Sequence, residues 1–198
     1  AITTVDVEGD LSGTLNGSST LGALDVAGDL TGAVDTTGAI TSIVVTGSVT
    51  GTGSIIASQI GGTILGGALA GSMTSRAGGA IGNVAVGTDL SGALSAGTTL
   101  GTLTIGNELT ATGTVTTGGN ATEIETTGAL DGTVTVGGTL GMLDVNGELS
   151  GDVDVTGAIT TADVDGDLSG PLAGGSTLGT LTVGGALSGS VYLVRAIT

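Results

Sequence analysis

The sequence predicts an all-β fold, a parallel β-solenoid (β-helix) of about ten coils with about 19 residues in each. Three observations carry this. A period of about nineteen residues runs the whole length of the chain. Within each period, apolar and polar residues alternate one by one, the signature of a strand with one face in and one face out. The composition is glycine-rich and nearly free of aromatics, with 42 Gly, one Tyr, and no Phe or Trp among 198 residues. A core of Val, Ile, Leu, Ala and Thr suits pleated strands, and so many glycines would weaken any long helix.

The rows follow in order. Row one is AITTVDVEGDLSGTLNGSS, from Ala1. Val5, Val7, Leu11 and Leu15 alternate with Asp6, Glu8, Asp10, Ser12, Thr14 and Asn16. Gly9 and Gly13 fall on the inward side, where a bend leaves no room for a side chain or needs positive φ. Row two, TLGALDVAGDLTGAVDTTG from Thr20, repeats the pattern. Rows three to seven fit with small insertions, expected near residues 54–59, 76–79 and 111–119. Rows eight, nine and ten begin at Thr139, Ala158 and Thr177. Odd rows open AIT, AIT, AIG, NAT and AIT, and even rows open TLG or QIG, a two-coil super-repeat. Ala196, Ile197 and Thr198 open an eleventh row in phase. The whole chain reads as one domain, residues 1–198, uncapped at both ends and open to continuation in a longer solenoid. A β-propeller is the alternative fold, since two rows have about the length of one blade.

Charge and composition narrow the function. A net charge of −16, with no Lys or His, argues against nucleic acid and against anionic membrane surfaces. The most apolar stretch, residues 60–73, is shorter than a bilayer span and broken by Gly, so no membrane insertion is expected. No signal peptide is visible; one is expected to have been removed or to lie outside the chain. Cysteine is absent and leaves the redox compartment unread. Phosphate-loop motifs are excluded for lack of Lys.

Rows such as LDVAGDLTGAV and LTVGGALSGSV resemble the glycine-rich β-strand repeats of large secreted bacterial surface proteins, the filamentous-haemagglutinin-like adhesins and autotransporter passengers. The resemblance covers the whole chain and carries no catalytic residue across. It implies secretion, an extracellular rod and a role in adhesion or surface architecture. DVDGDLSGPL departs from the calcium-binding nonapeptide repeat of RTX proteins in period and glycine order.

Candidate sites follow from the repeat. Asp6 with Asp25, Asp10 with Asp29, Asp144 with Asp163, and Glu148 with Asp167 share row positions. Stacked in register they repel. Ca²⁺ would relieve that repulsion, whereas the plainer reading is a solvated acidic face. No other cofactor is expected. Some β-helices cleave acidic polysaccharides, but the only basic residues are Arg76 and Arg195, and every acidic pair belongs to the repeat, so no enzyme is expected. The x-T-x-T pairs Thr102/Thr104, Thr133/Thr135 and Thr180/Thr182 are read as forming no continuous ladder. Asn16 and Asn120 open N-glycosylation sequons at expected corners. Ile64 faces outward in a band without acids and is the expected place for lateral packing. For end-to-end contact the candidates are Ala1 and Ile2 at one end, and Tyr192, Leu193, Val194 and Arg195 at the final corner of row ten. The expected function is a rod or filament segment with itself as partner. The alternatives are an adhesin stalk carrying a binding domain outside this chain, a weak surface-polysaccharide contact, and, remotely, a polysaccharide-active β-helix.

Overall fold

The structure, a computed structural model, describes residues 1–194. The AIT of row eleven and Arg195 lie outside the described residues. Among these residues there is no helix, and the strands form two ten-stranded parallel sheets. Each sheet takes every second strand in chain order, so each coil gives one strand to each sheet. First-sheet strands are mostly six residues long, as in Leu21–Val26, and second-sheet strands mostly four, as in Ala33–Thr36. Between the two strands one apolar residue per coil makes an isolated parallel bridge, from Leu11 and Leu30 at one end to Leu168 and Leu187 at the other. These bridges form a third ladder. The uniformly parallel pairing of consecutive coils is a solenoid and excludes the propeller.

The alternation read in the sequence is the burial pattern. In Leu21–Val26, residues 21, 24 and 26 are buried, and Val34 and Thr36 of the following strand face the same interior. Because equivalent residues stack about 4.8 Å apart, each inward side chain packs on its own kind above and below. Leu24, Ile43, Val84, Leu103 and Ile124 are all buried in one such column. Thr63 interrupts it, and its hydroxyl has no hydrogen-bond partner. The other buried hydroxyls are satisfied near the corners: Thr36, Ser75, Thr117 and Thr126 donate to the carbonyls of Gly38, Gly79, Thr98 and Gly128 at 2.9, 3.0, 2.5 and 2.9 Å. Val5, Val7, Leu11, Leu15, Leu178, Leu181 and Val183, on the first and last described coils, are only partly buried.

Two local readings are corrected. The glycines are needed for close approach between coils: a Cβ on Gly32 would lie 1.9 Å from the Gly13 carbonyl oxygen. Among the described residues only Gly78 has positive φ, +82°, in the insertion that follows Ser72–Ser75. Gly9 and Gly13 themselves meet nothing within 4 Å. The insertion expected at 54–59 is a strand, Ser54–Ala57; the extra residues sit just before it, at 50–53. There Gly53 N–H donates to Thr50 O at 2.8 Å, and the Thr52 hydroxyl donates to Thr31 O at 3.0 Å. Thr110, Thr112 and Gly113 build the same loop three coils later, with identical distances.

Candidate functional site

The fifth residue of the full first-sheet strands points outward, and these residues stack in register. Their column runs Asp6, Asp25, Val44, Ile64, Ala85, Thr104, Glu125, Asp144, Asp163. Acids therefore stand at both ends of an interval with none. Within the longer acidic run, Asp144 sits between Glu125 and Asp163. Partial burial, together with the charges of Glu125, Asp163 and Asp165, holds its carboxyl above the usual 3.8. The folded chain thus binds this proton more tightly than the unfolded chain does. Its ionisation costs stability as pH rises through the raised value, and the cost disappears on acidification. Lowering the pH from neutral toward the carboxylate range is expected to raise the melting temperature. Asp144→Asn should raise it by about 1–3 °C at neutral pH and reduce that pH dependence. Thermal melts across pH check this; an Asn variant that melts lower at neutral pH refutes it. In the same assay, a rise with Ca²⁺ beyond that of NaCl at equal ionic strength marks a bridging cation. An equal rise marks screening.

The structure does not bring Asp144, Glu148, Asp163 and Asp167 together as one group. Among the described residues no three or more acidic, His or Cys side chains converge to hold a metal ion. Asp144 and Asp163 stack on the sheet, whereas Glu148 and Asp167 lie at the next corner. The corner carboxylates act along the chain's own backbone. Oδ1 of Asp10, Asp29 and Asp167 accepts the N–H of Asp29, Ser48 and Ala186 in the following coil, at 2.9, 2.8 and 2.7 Å. Asn83 and Asn120 do the same for Thr102 and Thr139, at 3.0 and 2.8 Å. Glu148 accepts the Ser169 hydroxyl at 2.5 Å. Sequence reasoning missed this role. Its signal was present, since Asp, Asn or Ser recurs at the corner about one period apart.

Asn16 lies within a strand, Thr14–Gly17, and not at a corner; Asn120 lies in a loop, as expected. Both are exposed. Arg76, the one basic side chain among the described residues, reaches across a coil to pair with Asp35, the register partner of Asn16. The hydroxyl reading also changes. Thr114 and Thr116 stack directly on Thr133 and Thr135, and the outer column continues through Ser95 to Thr74. A continuous hydroxyl ladder therefore covers part of the second sheet; the two-residue insertion before Thr114 had shifted it out of phase. Tyr192, Leu193 and Val194 are exposed, but Val191–Leu193 is the last strand of the second sheet and not a corner. Ala1 and Ile2 are exposed at the opposite end.

A concavity in the outer surface of the first sheet sits in the acid-free interval. Ile64 is 57% exposed there, with Val44 and Ala85 as its register partners. The strand at this point is short, Val84–Val86, because Asn83 turns its side chain to the Thr102 amide. No protein family, curated protein or solved structure matches the chain.

Proposed function

We propose that this chain is a non-catalytic structural segment of an extracellular rod or filament, whose copies assemble by end-to-end stacking of their coils. The observation that supports it most is the contrast between the middle and the ends. Inward residues of the middle coils are buried, whereas Val5, Val7, Leu11 and Leu15 at one end, and Leu178, Leu181, Val183 and Leu187 at the other, keep part of their surface open. Among the described residues, the outermost strands of both sheets also have a sheet neighbour on one side only, which leaves the other edge of backbone N–H and C=O groups for pairing. The terminal coil of a second copy would satisfy both. The acidic sides repel lateral neighbours and favour growth along the axis. The polar groups lie in periodic ladders, which supports a scaffold over an enzyme.

The test is assembly. Purified protein should show light scattering that rises with concentration, and thin unbranched filaments by electron microscopy. Leu187→Glu places a charge on the terminal ladder at an exposed position, so the fold survives, and deletion of residues 192–198 removes most of the last strand. Each should abolish the filaments. A wild type that stays monomeric at all concentrations, or filaments indifferent to both changes, would overturn the reading.

A further inference from the structure

The acid-free interval of the first sheet is both concave and apolar. Val44 and Ile64 are exposed by 36% and 57%. Beside them Gly62 offers no side chain, and a Cβ built there meets nothing within 4 Å. With Ser42 and Thr102 these residues line a groove of about 480 Å³, within the range of ligand sites. Its two ends are acidic. Asp25 stacks next to Val44, and Glu125 next to Thr104. Glu123 and Glu125 accept the hydroxyls of Thr102 and Thr104 at 3.4 and 3.3 Å, which draws their carboxylates toward the groove. Asp25 and Glu125 are five coil steps apart, about 24 Å, a span that an extended peptide covers in about seven residues.

We propose that this groove binds an extended segment of a partner protein, about seven residues long, apolar in its middle and carrying a lysine or arginine at each end. A second copy of this chain fits poorly. Its acids would face acids, and it has only two basic residues, Arg76 and Arg195. Arg76 is already held by Asp35. Three apolar side chains also fall short of the roughly 1,000 Å² that a stable protein interface needs. A charged-ended apolar segment meets each of these limits: its middle covers Val44 and Ile64, and its ends neutralise Asp25 and Glu125.

The probe is a fluorescein-labelled peptide, Lys-Thr-Val-Ser-Val-Thr-Lys, followed by fluorescence anisotropy at low and moderate salt. Binding is expected to the wild type, and not by a control peptide ending in glutamate. Ile64→Ser should weaken binding at least fivefold. Asp25→Asn with Glu125→Gln should do the same and remove most of the salt dependence. All these positions face outward, so no variant should melt below wild type, and the double variant should melt slightly higher because Glu125 no longer repels Asp144; melting curves thus confirm that the fold is intact. Equal binding of the glutamate-ended control, no binding of the lysine peptide, or an affinity unmoved by Ile64→Ser would overturn the proposal. So would sedimentation showing a dimer that Ile64→Ser dissolves, which would assign the groove to a second copy.

Discussion

Val145→Asp and Leu168→Asp are each expected to unfold the solenoid around the substituted coil, whereas Thr14→Asp melts like wild type. Val145 and Leu168 have no exposed surface, and Thr14 is exposed. Val145 stacks between Thr126 and Val164, and the Thr126 hydroxyl is already committed to Gly128. An ionised carboxylate placed there finds no partner, and the cost is about 4 kcal/mol or more. That is a large part of the roughly 5–15 kcal/mol that holds an ordinary domain. The damage spreads, because a coil contacts only its neighbours and each loses a stacking face. Circular dichroism melts and limited proteolysis check this, with cleavage expected near the substitution. Equal tolerance at Val145 and Thr14 would refute the inward-outward assignment.

Gly151→Ala should lower the melting temperature by several degrees, and Gly62→Ala should leave it level or raise it. The added carbon at Gly151 would lie 2.1 Å from the Gly132 oxygen and 2.7 Å from the carbonyl carbon of Asp131. Both are backbone atoms of the preceding coil. They cannot retreat freely, since the same Gly132 oxygen accepts the Asp152 N–H at 3.0 Å. Overpacking of this kind costs about 1–3 kcal/mol. At Gly62 the carbon enters open space and φ is not positive. There Ala restricts the unfolded chain, which stabilises by up to about 1 kcal/mol. A pair of alanine variants with the same melting shift would show that inter-coil crowding is not what selects glycine.

Strand alternation made most of the fold legible. Val26, Leu30 and Val34 could be assigned inward from their spacing alone, and Ile64 outward, because one coil's pattern repeats in the next. The stacking of Asp144 on Asp163 followed from the same period. What escaped was chemistry between coils. An Asp at a corner looks solvated in one row, and only the chain one period later supplies the N–H that it accepts. Insertions hid a second class of contact. Two residues added before Thr114 compensate within the loop and leave the sheet in register, but they break the row count on which a Thr ladder would be recognised. Tyr192 was misplaced for a related reason. Bulk and polarity there differ from earlier rows, yet its backbone pairs with Ala173 as any second-sheet strand does. The groove was half legible. The missing acids could be counted, whereas the concavity depends on Gly62 and on Asn83 turning aside.

The third ladder and both sheets place every inter-coil hydrogen bond nearly parallel to the rod axis. Tension applied along that axis loads the coil boundaries in series, and the terminal coil, packed against one neighbour and not two, gives way first. Each event frees one repeat of slack. Register partners 19 residues apart, such as Leu140 and Ile159, release about 65 Å of chain; Leu100 and Ala121, which span an insertion, release slightly more. The rod thus yields in steps, dissipating work coil by coil, and the positions of its insertions are written into the lengths of those steps.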